Sequence, residues 1–241
     1  MADFISVNDV EIPLRIKRRW KNGIRYSISK KQINLTIPAF FSSKMQKSEI
    51  EKLRSWILEK VQDDKKILDR FRTRLYRTGE SIEIRGHTFV LSLSESDRKT
   101  MSGKIDGDII LINAPNTLTP QKRGSMIERL LSRLLSAYFL PEIEERVYYF
   151  NSLYFNENIG RVRMKYNVSN WGSCSSKKNI NLSSRLLMAP QDIVDYVIIH
   201  ELAHLREMNH SPEFWSIVKK IMPGYRQKEL WVKENGAKLK F

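Results

Sequence analysis

Apolar and polar residues alternate through the first forty positions. The runs IPLRIKRRW and IRYSI flank Asn22-Gly23 and predict a β-hairpin, because Asn-Gly tolerates the positive φ of a type I′ turn. QINLTIP adds a third short strand. Near Ser48 the period changes. Ser48 and Glu51 have capping-box spacing, and Ile50, Leu53, Trp56, Ile57 and Val61 share one helical face. The predicted helix continues to about Leu75, with a break near Asp63-Asp64. Alternation returns in SIEIRGHTFVLSL, a second hairpin punctuated by Gly79 and Gly86, and DIILI at 108–112 is a further strand.

Thr119-Pro120 predicts an N-cap and first turn for a helix carrying Met126, Ile127, Leu130, Leu131, Leu134 and Leu135. Pro141 restarts a helical stretch with Ile143, Val147 and Phe150 at helical spacing. RVRMKYN then reads as a strand, WGSCSSKKN as a turn and INLSSRLL as the strand returning. Pro190 opens a helix over QDIVDYVIIHELAHLREM whose centre is apolar nearly all round, the mark of a buried helix. Ser211-Pro212 starts another helix, Pro223-Gly224 ends it, and YRQKELWVKENG is the last. The class is α+β. No internal repeat is evident, and the division suggested is 1–115, β-rich with one long helix, and 116–241.

Charge changes this picture in one respect. The chain carries a formal +15, and residues 1–78 hold 19 Lys and Arg against 9 Asp and Glu. A basic amino-terminal region favours polyanions such as nucleic acid, although a solvated surface accounts for it equally well. The one cysteine, Cys174, excludes an internal disulfide framework. The start MADFISVNDVEIPLRIK is not of signal-peptide type, and no apolar run approaches the roughly 20 residues that span a bilayer. The expectation is a cytoplasmic protein without a membrane partner.

The candidate chemistry lies in HELAHLREMNH, residues 200–210. His200 and His204, four apart on a helix, leave the same face and can share a zinc ion. Glu201 can reach the attacking water without entering the coordination shell, as general base and then acid. His210 is the best third ligand, with Glu207 and Glu213 in reserve. The spacing matches the pattern H-E-x-x-H-x-x-G-x-x-H, except that Glu207 stands where that pattern has its turn-making glycine. The turn is therefore expected later, with Asn209 as the left-handed residue. In a buried helix, two histidines and a glutamate without partners would each cost kcal/mol, and a metal resolves that cost.

The runs WGSCSSKKNINLSSRLLMAP, DYVIIHELAHLREMNHSPEFW and MPGY resemble the YgjP-like metallopeptidase family, which is related to the SprT-like zincins. The resemblance implies a zincin-like minimal metallopeptidase core at the carboxy terminus, preceded by a basic β-rich region. It implies Zn²⁺ on His200, His204 and His210, with Glu201 catalytic and a protein or peptide as substrate. By analogy with zincins, Tyr225 or Arg226 would stabilise the oxyanion, and Ile180, Asn181 and Leu182 would form an edge strand for extended substrate. Trp171 and Trp215 read as core anchors, and Cys174 as a weak candidate nucleophile. Two alternatives stand beside this: a nucleic-acid-binding protein with a structural zinc, and a protease recruited to DNA by its basic region.

Overall fold

The computed structural model describes residues 3–8, 10–29, 32–64, 66–69, 71, 74–167 and 169–241. The chain divides into two compact units, Met1–Leu75 and Tyr76–Phe241.

The first unit contains β1 (Asp3–Val7), β2 (Val10–Arg19), β3 (Arg25–Ile28), β4 (Ile33–Pro38), α1 (Ser43–Asp63) and α2 (Lys66–Asp69). The expected β2–β3 hairpin across Asn22-Gly23 does not form. β4 lies between those strands, parallel to β2 and antiparallel to β3, in the order β1-β2-β4-β3. Ile33, Leu35 and Ile37 of β4 are fully buried in that central place. Their burial outweighs the local turn preference, and Gly23 takes no positive φ. The α1 helix starts earlier than the expected capping box: the Ser42 hydroxyl accepts from the Met45 N–H, leaving Ser48 and Glu51 inside the helix. Its buried face, Leu53, Ile57 and Val61, is the expected one. Part of the expected extension toward Leu75 lies outside the described residues.

The second unit opens with β5 (Ser81–Ile84), β6 (His87–Ser96), β7 (Ser102–Asp106), β8 (Ile109–Pro115) and α3 (Pro120–Phe150). β5 and β6 form the expected hairpin, with Arg85 and Gly86 at φ 51° and 79° as a type I′ turn requires. Thr119 caps α3 through the Lys122 N–H, with Pro120 in the first turn. The helix then passes through Pro141 without restarting. Phe139, Ile143 and Val147, all in the core, hold the helix on both sides of the proline. The suggested division at 115 falls inside this unit, because Ile110 and Ile112 share one core with Leu130, Leu131 and Leu135.

The two four-stranded sheets have the same wiring. The order β5-β6-β8-β7 repeats β1-β2-β4-β3, with the same parallel and antiparallel pairs. The register also repeats: Leu14 beside Ile33 becomes Leu91 beside Ile110, an offset of 77 positions (14 to 91, 33 to 110). The same offset carries Pro38 at the end of β4 to Pro115 at the end of β8, and the cap Ser42 to the cap Thr119. A repeat invisible in the residue string is explicit in the hydrogen-bond register.

Beyond α3 come a π-helical turn (Asn151–Phe155), β9 (Val162–Lys165), β10 (Gly172–Cys174), β11 (Ile180–Ser183), a 3-10 turn (Ser184–Met188), α4 (Gln191–Ala203), α5 (Pro212–Ile221) and α6 (Tyr225–Asn235). The last small sheet has the order β10-β11-β9. Arg146 of α3 makes a two-pronged contact with Asp195, fixing α4 to α3. As expected, α4 is buried almost all round, from Ile193 to Ala203. Among the described residues no helix is long and apolar enough to cross a membrane.

Candidate metal centre

Tyr196 and His200 on α4 and His204 at its C-cap follow one another at four-residue intervals. The helix stops at Ala203, sooner than the sequence pattern suggested. The N–H groups of Leu205, Arg206 and Glu207 turn back onto the carbonyls of Leu202 and Ala203. No left-handed residue is needed: positive φ among the described non-glycine residues occurs at Asn8, Arg85, Asn156 and Lys178, so Asn209 does not play that part. This turn is the reason glutamate can stand at 207. Its carbonyl accepts from His204 Nδ1 at 3.1 Å, and its carboxylate accepts from the Asn209 N–H. Ser211 then caps α5 through the Phe214 N–H, which leaves His210 just ahead of a helix start.

The three histidines converge. One ring nitrogen from each lies within 4.8 Å of the others, and His210 Nε2 is 3.0 Å from His200 Nε2. With Nδ1 of His204 bound to a carbonyl, its Nε2 remains as the donor. Phe214, fully buried, forms the floor. It stacks on His204 at 4.5 Å and meets His200 and His210 edge-on at 4.9 and 4.8 Å. Trp215 stacks on His210, and Tyr225 stacks in turn on Trp215. Burial, with the neighbouring imidazoles adding to it, pushes His200 down to about 3, and burial also lowers His204. Both rings are therefore neutral at physiological pH, the form a metal needs.

Glu201 leaves α4 beside this cluster and is 4% exposed. Burial raises its carboxyl to about 8, and the backbone N–H of Cys174 partly offsets that rise. Its Oε2 and the Nδ1 of His200 have no hydrogen-bond partner among the described residues. β10 lies so close that a Cβ added at Gly172 would stand 2.6 Å from both Cγ and Cδ of Glu201. Three imidazole donors and an orphaned buried carboxylate oxygen fit a divalent metal with a free coordination position. The reserve ligands are elsewhere: Glu207 is engaged as described, and Glu213 is exposed at the start of α5.

A cavity of about 530 Å³ opens on the cluster, walled by β10, Trp171, Tyr196, Val197, Met208 and Val232. Several expectations change here. β11, with Ile180, Asn181 and Leu182, is the central strand, bonded to β10 and β9, so it has no free edge for substrate. The edge strand on the cavity is β10. Tyr225 and Arg226 do not line the cavity. Tyr225 is committed to the Trp215 stack, and Arg226 is exposed with its guanidinium over the Tyr225 ring. Cys174 does line it, but burial and Glu201 raise its thiol to about 11, and the partner of its Sγ is the Ser175 carbonyl rather than an imidazole. Trp171 lies under the Arg185 guanidinium, which also binds the carbonyls of Gly236 and Leu239. The sequence reading missed Tyr196, whose signal was its place four residues before His200. It also missed Gly172, which carried no signal beyond being glycine.

The profile of the family described as "YgjP-like, metallopeptidase domain" matches residues 22–235. A curated relative, the UTP pyrophosphatase of Escherichia coli (strain K12), is 26% identical over 91 residues, 36% of this chain and 54% of the relative. The chain thus spans about half the length of that relative. Two solved structures are similar. The metallopeptidase zymogen abylysin of Pyrococcus abyssi is 27% identical, covering 39% of this chain and 92% of its own, with a TM-score of 0.35. The metallopeptidase zymogen jannalysin of Methanocaldococcus jannaschii is 24% identical, covering 38% and 94%, with a TM-score of 0.34.

Proposed function

Because the chain belongs to the YgjP-like metallopeptidase family, a family of metal-dependent hydrolases, we propose that it cleaves peptide bonds with a zinc ion on His200, His204 and His210. The catalytic core on this reading is zincin-like and lies in the second unit. The bound ion supplies Lewis acidity that makes water nucleophilic near neutral pH. The chain's own residues do the rest. Glu201 takes the proton of the attacking water and delivers it to the leaving amine. β10 is the edge strand along the cavity, where an extended peptide would add as another strand by displacing the Asn170 side chain from the Gly172 carbonyl. Tyr196, on the cavity wall, is placed to donate to an oxyanion. The single observation that carries the reading is three histidine donors converging beside a carboxylate oxygen with no hydrogen-bond partner among the described residues.

A second reading follows from the curated relative: hydrolysis of a nucleoside triphosphate. It requires cations for the phosphates. Among the described residues, Lys233 is the Lys or Arg lining the cavity, and Glu229 holds it at 2.8 Å. The largely apolar wall favours a peptide side chain. The test is to load the protein with zinc and assay unfolded casein and UTP in parallel, with Glu201→Gln as control. Casein cleavage that disappears in Glu201→Gln, with metal content kept, supports the peptidase. Turnover of UTP alone would replace it with the second reading.

A further inference from the structure

The repeat between the two sheets supplies an internal control for the basic charge of the first. On β2 the residues Val10, Ile12 and Leu14 face the core, so the alternate positions Arg15, Lys17 and Arg19 lie on the outer face. On β4 the core-facing residues are Ile33, Leu35 and Ile37, so Asn34 and Thr36 share that outer face. On β3, Tyr26 packs on Trp56 of α1, which places Arg25 and Ser27 outward. The register joins these into rows across the sheet: Lys17, Thr36 and Arg25 in one, and Arg15, Asn34 and Ser27 in the next. Arg15, Arg19 and Arg25 are exposed and Lys17 half-exposed, and none makes an ion pair among the described residues.

Moving each cation by the 77-position offset gives Ser92, Ser94, Ser96 and Ser102. The same scaffold, in the same chain, takes serine at all four places. The fold therefore does not require these cations. At one end of the sheet two aromatics stand out in solvent: Trp20, next after β2 and 92% exposed, and Phe40, 64% exposed. The Ala39 N–H bonds the Arg19 carbonyl, and Arg18 binds the carbonyls of Ala39 and Phe41, which fixes both aromatics at that end.

We propose that this outer sheet face binds single-stranded nucleic acid, with Arg15, Lys17, Arg19 and Arg25 on the phosphates and Trp20 stacking on a base. Alternate residues on a strand are about 7 Å apart, so β2 offers a row of cations for an extended backbone to follow. Asn34, Thr36 and Ser27 between the cations give hydrogen-bonding groups to sugar and base edges. An acidic membrane would instead call for several apolar anchors spread over the face; among the described residues, the exposed large apolar residue on the face itself is Phe4 of β1, 42% exposed and opposite Pro13. Exposed aromatics beside a basic track are the means by which sheet surfaces hold single strands.

The test uses the full chain with a fluorescein-labelled oligothymidylate of about 20 nucleotides, followed by anisotropy across a salt series. Binding is expected, with log affinity falling by about 0.7 per contacted phosphate for each decade of salt. The variant R15S/K17S/R19S/R25S copies the second sheet and should fold like the parent. It should lose at least ~100-fold in affinity and flatten the salt slope by about 3. Trp20→Ala, at a position with no packing to lose, should weaken binding about tenfold and leave the slope unchanged. An unchanged affinity and slope in the quadruple variant would overturn the proposal. So would preferential binding to vesicles of equal parts phosphatidylserine and phosphatidylcholine. The readout is binding alone, so it is independent of the reaction carried by the metal centre.

Discussion

Gly172→Ala isolates the contact between β10 and the carboxylate of Glu201. The added methyl would stand 2.6 Å from Cγ and Cδ of Glu201, well inside the roughly 3.5–4.0 Å of an ordinary carbon contact. About 1 Å of separation must be recovered. β10 is bonded to β11 on one side, and Glu201 leaves a buried helix, so the side chain gives way sooner than either backbone. A displacement of about 1 Å at a reacting group costs on the order of 100-fold in rate. The histidines are untouched. Expected results are therefore a kcat reduced about 100-fold, zinc content of the parent, and a KM changed far less than kcat. The double variant with Glu201→Gln is diagnostic. If glycine acts only by placing the carboxylate, adding Gly172→Ala to Glu201→Gln costs almost nothing more. Two fully additive losses, or a Gly172→Ala enzyme with parental kcat and full zinc, would refute the reasoning.

Other perturbations probe the same centre. Phe214→Ala removes the ring beneath all three histidines and leaves a core cavity, so it should cost about 3–5 kcal/mol by denaturant melts and weaken zinc retention. Normal zinc affinity in a folded variant would show that the ring does not organise the ligands. His204→Ala and His210→Ala should each lose zinc by metal analysis with the fold kept, whereas Glu207→Ala should keep it, since the Glu207 contact to His204 is made by its carbonyl. In the metal-free protein Glu201 stays protonated up to about 8, while the unfolded chain ionises it above its ordinary 4.5. Its contribution to stability is therefore present below 4.5 and lost as pH rises to 8. The Tm of metal-free Glu201→Gln relative to the parent should climb across that interval, and a constant difference would contradict the assignment.

The clustering of the three histidines was largely legible because its information is local. Four-residue spacing on a helix places His200 and His204 together, and Ser211-Pro212 announces the helix that leaves His210 just ahead of it. The same holds for the turn at Arg85-Gly86, where backbone sign and residue type coincide. What was not legible depended on distant partners. Asn22-Gly23 has good turn chemistry, but β4, arriving ten residues later, offered β2 a better-buried neighbour. The sequence INLSS looks alike as a central or an edge strand, and only the presence of both β9 and β10 decides. Glu207 breaks a turn motif only if the helix runs on to Met208. Its stop at Ala203 removed the need for glycine.

The paired sheets also bear on how the chain avoids misassembly. β4 and β8 show a neighbour the same alternation and end on the same proline, so β2 and β6 could each accept either one. Tandem modules with interchangeable strands are prone to swapping during refolding. Proximity separates the choices: β4 begins 14 positions after β2 ends (19 to 33), while β8 lies beyond a whole helix. During synthesis the first sheet and α1 can close before β5 has emerged. The order of emergence then supplies a discrimination that the strands themselves lack, and dilution of denatured full-length chain removes it.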